Sequence, residues 1–449
     1  MTPLDIRDLA AAMGAAYDGP SRPIAHICTD TRTLVPGCLF VALTGEKFDG
    51  HHYIPKALEQ GAAFAVSARP FGDERVLVVE DTRQALLDLA GYYRKKLGLK
   101  VVAVTGSVGK TTTKEMAACV LGSAFSTLKT PANLNNEVGL SQTILSLNPS
   151  HEIAVLELGV DAPGQMLPLT HCAAPDIGIV TGIGVTHLQQ FGTRQAIGAE
   201  KLALGDAMAD GAPLLLCGDN DLLAEVEIPR LRVLRYGIQN RANEVKAQNL
   251  REEQGATHFE ILWDGGVYPA QIPTLGRHNV LNALAGFAAG VLLGIAPAQA
   301  AEALGSYAPE GMRQKMVSHK GLTVVEDCYN ASPDSMEAAL HTLKNMPCTG
   351  KRIAILSDML ELGSREEEEH RRVGEIAADC ADLLLCTGIR SALTVEGARQ
   401  AGLAQAFHFP DQDSLYQALR QQASGGDVLW FKASRGMHLE HLLQRLYAE

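Results

Sequence analysis

The run Val-Val-Ala-Val-Thr-Gly-Ser-Val-Gly-Lys-Thr-Thr-Thr at 101–113 constrains the fold more than any other stretch. Its four leading apolar residues read as a strand buried on both faces, as in a parallel sheet. A glycine-rich turn follows, then Lys110-Thr111 and a helical pattern through Lys114, Glu115, Met116, Ala117, Ala118 and Val120. Strand, turn and helix in that order cradle phosphate. Backbone N–H groups and the helix N-terminus face the anion, Lys110 reaches the β- and γ-phosphates, and the Thr111 hydroxyl can hold Mg²⁺. The literal G-x-x-x-x-G-K-T spacing fails, because Val104 stands where it wants glycine; a shorter T-G-x-x-G-K-T remains. A chance Gly-Lys-Thr turn is the plain alternative, and the flanking strand and helix argue against it.

Composition bounds the rest. A chain of 449 residues suggests about three domains. With 46% hydrophobic and 20% charged residues it can bury several cores. A net charge of −12 and a pI near 5.6 argue against general binding to nucleic acid or anionic membranes. An anionic substrate must then be met by local cations. The nine cysteines are scattered without a C-x-x-C pair, as expected of reduced thiols in a cytoplasmic protein. The N-terminal MTPLDIRDLA has no basic segment followed by an apolar core, so no secretion signal is expected. The longest apolar run, 281–296, contains Asn282 and is short for a membrane span; a buried helix fits it better. No internal repeat stands out.

The expected architecture is α/β in three domains. Residues 1–82 show short strands at 24–28, 39–43, 64–66 and 76–79 around a helix near 54–61, a small α/β domain. Leu86, Leu89, Ala90, Tyr93 and Leu97 then repeat at helical spacing. Residues 83–312 alternate strand and helix (strands 101–104, 153–158, 177–181, 214–217), the rhythm of a parallel sheet. Residues 232–275 read as an antiparallel add-on, and a helix over 278–293 follows. From 313 to 449 the alternation restarts: strands 322–326, 353–357, 383–386 and 428–432, helices 335–345, 366–380, 392–401 and 412–423. That predicts a separate Rossmann-like domain, without the G-x-G-x-x-G of a dinucleotide binder. The acidic run 366–369 reads as a solvated first helical turn.

Several residues stand at expected strand ends, where open parallel sheets gather ligands. Glu157 ends an apolar strand and suits Mg²⁺, or alternatively a helix cap. His187 follows another strand by a Gly-rich loop, where an ordinary hydrogen-bonding role is the alternative. Lys201, on a helix, needs no explanation beyond an exposed lysine. Asn279 is a plausible N-cap; with Asn282 on the same face it could also read a purine edge. Asp327-Cys-Tyr329-Asn330-Ala-Ser-Pro-Asp334 is either a capped turn or a nucleotide clamp across a cleft. Lys432 and Arg435 offer two cations for phosphates or carboxylates. Near the N-terminus, Asp30-Thr31-Arg32 and the loop Thr44-Gly45-Glu46-Lys47-Phe48-Asp49-Gly50-His51 could hold a sugar nucleotide or be ordinary turns.

Together these segments resemble the Mur ligase family along essentially the whole chain. TGSVGKTTTKEM resembles its ATP loop, and NLNNEVGLSQT its N-x-N-N-E-x-G-x-P segment with Ser141 for proline. ELGVDAPGQM, THLQQFGT, AEK and GRHNVLNALAG follow in the family's order. DCYNASPDSMEAAL, LSDMLELG and LWFKASRGMHLE are similar to the branch that adds D-alanyl-D-alanine to UDP-N-acetylmuramoyl-tripeptide; Ser332 and Ala433 depart from it, at a usual Asn and Gly. The D-N-P-R motif of the branch adding the third residue is missing.

The resemblance implies roles. Lys110, His187 and Lys201 would be catalytic, with Lys201 carbamylated. Thr111 and Glu157 would hold one Mg²⁺; His187 and the carbamate would hold a second. ATP would lie against Thr105, Gly106, Ser107, Val108, Gly109, Lys110, Thr111, Thr112, Asn279, Asn282, Arg313, Asp327, Tyr329 and Asn330. The UDP substrate would meet Asp30, Thr31, Arg32, Thr44, Gly45, Asp49, Gly50, His51, Lys432 and Arg435. A monomeric cytoplasmic enzyme of peptidoglycan precursor synthesis is implied, its partners UDP-MurNAc-tripeptide and D-Ala-D-Ala, with no nucleic acid and no membrane insertion. A folylpolyglutamate synthase would resemble only the central and last domains. A nucleotide-switch ATPase would need neither carbamylated lysine nor amine pocket.

Overall fold

The computed structural model describes residues 1–45 and 47–448. Among these residues, sheets of four, nine and six strands follow one another along the chain, after one short antiparallel pair.

The small N-terminal sheet is parallel throughout, in chain order: Ile27–Cys28, Leu39–Val41, Phe64–Ser67 and Val76–Val78. The strand expected at 24–28 is two strands in different sheets. Pro23–Ile24 pairs with Leu4–Asp5, whereas Ile27 pairs with Leu39. Helix Ile6–Ala12 was not anticipated; it is short, capped by Asp5, and buries Ile6, Leu9 and Ala10. Helix Thr82–Leu97 starts at an Asp81 cap and stops at Gly98, which is left-handed at φ 67°. It packs on helices Glu137–Leu145 and Met166–Ala173 of the central region.

The central sheet runs Thr127–Lys129, Ile153–Glu157, Lys100–Thr105, Ile177–Val180, Pro213–Cys217, Arg232–Gly237, Val245–Glu253, Ala256–Trp263, Gly266–Ile272. Every pairing as far as Val245–Glu253 is parallel. The antiparallel add-on therefore begins later than 232: strand Arg232–Gly237 extends the parallel sheet, and only the last three strands form a ribbon. Its half-buried side chains carry no sign of the pairing partner, so composition alone misplaced it. Strand Lys100–Thr105 sits between Ile153–Glu157 and Ile177–Val180, so three strand ends open into one crevice. The apolar run is the buried helix Arg277–Leu292, packed on the phosphate-loop helix Lys110–Gly122. No helix among the described residues is long and apolar enough to cross a membrane.

The last sheet has the order Lys315–His319, Leu322–Asp327, Val428–Lys432, Arg352–Ser357, Leu383–Thr387, Ala406–Phe409, with only the first strand antiparallel. Both edge strands were unexpected; edges lack the continuous apolar signal of central strands. The acidic run is not all solvated. Glu369 is buried against Arg365 (2.7 Å) and Arg372 (2.9 Å), because it faces the helix's packed side.

Candidate active site

The loop between Thr105 and Lys110 is possible only with its two glycines. Gly106 has φ 147°, and a Cβ there would stand 1.9 Å from Thr181 Oγ1. Gly109 has φ 81°, and its Cβ would stand 2.6 Å from Asn282 Oδ1. The Thr181 hydroxyl donates to the Val108 carbonyl (2.5 Å), and Thr105 Oγ1 donates to the Leu158 carbonyl (2.8 Å). The loop is thus tied to both neighbouring strands before any ligand arrives. Lys110 Nζ donates to the Gly106 (2.8 Å) and Ser107 (3.3 Å) carbonyls. Burial lowers its pKa; Glu157 opposes that and Arg313 adds to it.

Around this loop lies a cleft of about 900 Å³, shared between the central region and the last one. Ser107, Val108, Gly109, Lys110, Thr111, Thr112, Glu157 and His187 line it from one side, with Asn279 and Asn282; Arg313, Asp327, Tyr329, Asn330 and Lys432 line it from the other. Glu157 is buried. One oxygen accepts from Asn135 Nδ2 (2.8 Å); Oε2 has no hydrogen-bond partner. Behind it lies Lys114, fully buried, 2.9 Å from Glu115 and 3.7 Å from Glu157 Oε2, donating to the Thr130 and Ala132 carbonyls. Sequence reasoning took Lys114 only as part of a helical pattern. Its i, i+4 spacing from Lys110 was the available signal.

Asn279 is not a cap. The helix starts at Arg277 behind Gly276, and Asn279 is buried inside its first turn. Its amide donates to the Leu275 carbonyl (2.8 Å) and Gln314 Oε1 (2.5 Å); Asn282 Oδ1 accepts from Thr113 Oγ1 (3.0 Å). Gln314 Nε2 contacts His278 Nε2 at 3.0 Å, a residue pair not foreseen. Burial, with the field of Lys432, pushes the His278 pKa down to about 4. Opposite, the Arg313 guanidinium stacks 3.8 Å above the Tyr329 ring. Lys432 and Asp327 are adjacent by parallel register and form a buried 2.8 Å pair. Lys432 therefore belongs to this cleft, away from the N-terminal loops with which it was grouped.

Three profiles match the chain: the Mur ligase family catalytic domain at 23–94, the Mur ligase middle domain at 104–290, and the Mur ligase glutamate ligase domain at 312–435. The UDP-N-acetylmuramoyl-tripeptide–D-alanyl-D-alanine ligase of Bacillus subtilis is 38% identical, covering 94% of this chain and 93% of its own length. The chain belongs to the Mur ligase family. The same-named Escherichia coli ligase is 31% identical over 99% of each chain. Solved MurF structures from Acinetobacter baumannii (TM-score 0.92, 28% identity, 100% of this chain and 99% of that one) and, in complex with ADP, from Thermotoga maritima (TM-score 0.83, 29% identity, 94% and 97%) share the fold.

The remaining expected residues of this Mur ligase fall in three places. His187, left-handed at φ 60°, has its Nδ1 2.6 Å from Glu361 Oε2 of the last region. Lys201 is buried on helix Arg194–Leu202, against the expectation of an exposed lysine, and burial together with Lys110 drives its pKa well below the usual value. In the N-terminal region, Asp30 pairs with Arg32 (2.6 Å), which holds its carboxyl down to about 2, and Thr31 lies between them. Asp49 joins His51 (2.6 Å), Arg69 (2.8 Å) and Thr44 (3.4 Å) in a second cluster that includes the turn at Gly45 and Gly50. Glu46 lies outside the described residues. Neither cluster lines the cleft; Arg83 links the second to it by donating to the Thr44 carbonyl (2.8 Å) while pairing with Glu137. Arg435 pairs with Glu440 (2.8 Å) outside the cleft lining. Ser332 keeps the capping role open to an asparagine, closing a reciprocal box with Ser335.

No ready-made cluster of three His, Cys, Asp or Glu exists among the described residues. The donor set nevertheless fits Mg²⁺, which takes one or two protein oxygens plus phosphate and water. The unpartnered buried oxygen of Glu157 and the Thr111 hydroxyl share the cleft wall. Burial favours the neutral form of the Lys201 amine, the form that can add carbon dioxide.

Proposed function

We propose that this chain is an ATP-dependent ligase that joins D-alanyl-D-alanine to UDP-N-acetylmuramoyl-tripeptide, giving the pentapeptide, ADP and phosphate. The observation that carries the reading is the buried Glu157 oxygen without a hydrogen-bond partner, which shares with Lys110 and Thr111 a cleft also lined by Arg313, Tyr329 and Lys432. The names of the full-length relatives support the choice of dipeptide and tripeptide.

The chemistry follows from the parts. A carboxylate does not condense with an amine unaided, because its leaving group is poor. The tripeptide carboxylate attacks the γ-phosphorus, and the bond to the β,γ-bridging oxygen breaks to release ADP. Lys110 meets the β- and γ-phosphates and offsets the charge spread over the transferring group. Mg²⁺ at Thr111 and Glu157, with a second ion at His187 and carbamylated Lys201, supplies further charge neutralisation when bound. The neutral amine of the dipeptide then adds to the acyl carbon and loses a proton, and phosphate leaves with the C–O electrons. An acyl phosphate hydrolyses if wet, so the lining from 313–449 excludes water. Asn279 and Asn282 face the adenine. Residues 1–82, through Asp30-Thr31-Arg32 and the 44–51 loop, hold the UDP; 83–312 hold ATP. The enzyme acts as a cytoplasmic monomer.

The test is ADP and phosphate release with ATP, Mg²⁺, UDP-MurNAc-tripeptide and D-Ala-D-Ala, each omitted in turn. Release needing all four, with UDP-MurNAc-pentapeptide seen by mass, supports the ligase. Release from ATP and Mg²⁺ alone, indifferent to both peptides, would replace it with a switch ATPase.

A further inference from the structure

Glu361 has no part in the reading above, yet it brings a carboxylate of the last region onto one of the implied cation residues. Its carboxylate Oε2 stands 2.6 Å from His187 Nδ1. The contact is built from both sides. Glu361 lies in the loop after strand Arg352–Ser357, itself left-handed at φ 65°. His370 Nε2 accepts from the Met359 N–H (3.0 Å) and Ser434 Oγ from the Leu360 N–H (3.0 Å), fixing the loop within its own sheet. Leu362 is buried, and a Cβ at Gly363 would stand 3.2 Å from Cα of Gln189, two residues past His187. The backbone of one region is thus seated directly on the short helix that carries the histidine.

This seating decides which ring edge is free. Nδ1 is shielded from solvent and its one close oxygen is that of Glu361, poorly aligned for a hydrogen bond in the ligand-free site. His187 still lines the cleft, and with Nδ1 shielded the ring nitrogen left for a ligand is Nε2. Histidines that bind metal commonly donate their other N–H to a carboxylate, which fixes tautomer and orientation.

Resting on the ligase reading, we propose that Glu361 is a positioning residue for the second cation: it takes the His187 Nδ1–H and so presents Nε2 to the cleft. The carboxylate comes from a different sheet than its histidine. The cation site is therefore complete only while the two regions are together, and phosphoryl transfer is confined to the closed enzyme.

The experiment is Mn²⁺ binding to the full chain with β,γ-methylene-ATP, free Mn²⁺ being read by electron paramagnetic resonance. Wild type, Glu361→Ala and Glu361→Gln are compared, with thermal unfolding as a check on the fold. The expected result is two ions on wild type. In Glu361→Ala the weaker ion loses about tenfold or more in affinity, the tighter ion is unchanged, and kcat falls without a rise in KM for the UDP substrate. Glu361→Gln, which keeps an acceptor oxygen, lies between. Two ions bound equally well by wild type and Glu361→Ala would overturn the proposal and leave the ligase reading standing. A single ion on wild type would remove the two-cation reading itself, and this role of Glu361 with it.

Discussion

Replacing Lys114 by methionine tests the electrostatics behind the phosphate loop. Lys114 is fully buried between two buried carboxylates, Glu115 at 2.9 Å and Glu157 at 3.7 Å. Removing one partner of a buried pair costs about 3–5 kcal/mol, mostly because a charge is left uncompensated. Glu115 retains its pair with Lys129, whereas Glu157 loses the one cation within 4.0 Å among the described residues. The loss therefore belongs near the lower end, about 3 kcal/mol. Urea unfolding reads it through Trp263 in the central sheet and Trp430 in the last sheet, and the central transition should move while the last stays. Adding Glu157→Gln removes the stranded charge and should recover about 1 kcal/mol or more. Unfolding of Lys114→Met within about 1 kcal/mol of wild type would refute the reasoning. So would a Glu157→Gln change that deepens the defect.

Further outcomes follow from the same geometry. Gly109→Ala forces a left-handed alanine into the Asn282 amide; ATP turnover should fall about 100-fold through the displaced loop, with little change in folding. Glu157→Gln should abolish the Mg²⁺ requirement for nucleotide binding, checked by calorimetry with and without the ion. His278, held neutral with its pKa brought from 6.5 to about 4, binds more protons unfolded than folded between those values. Stability should thus rise with pH across that window and be fully present above it. The slope is worth at most ~3 kcal/mol, less because the ring edge reaches the cleft. His278→Gln should flatten it in unfolding curves taken from pH 4 to 7.

What was legible in the sequence is what depends on local pattern. The phosphate loop, the buried helix Arg277–Leu292 that carries most of the apolar run 281–296, and the alternation after 322 all announce themselves by period and by glycine. Position at a strand end was enough to bring Glu157 and Asp327 into view. Contacts across the chain were not legible: nothing in KTTTKE says that its second lysine is sealed from water. Likewise LSDMLELG does not say that its one glutamate reaches a histidine 174 positions earlier. Of the two readings open for Asn279, the cap fails because Gly276 starts the helix without a side-chain oxygen, which frees the asparagine to turn inward.

The antiparallel ribbon at the edge of the central sheet has a practical use. Its last two strands meet at Asp264-Gly265, both with positive φ, closed by the Trp263–Gly266 pair, the geometry of a tight two-residue hairpin. Both turn residues are exposed, and neither strand contributes to the cleft. Added chain at that tip disturbs no ladder beyond its own closing pair. A fluorophore or affinity handle spliced there would report on the working enzyme while standing outside the lining of the cleft.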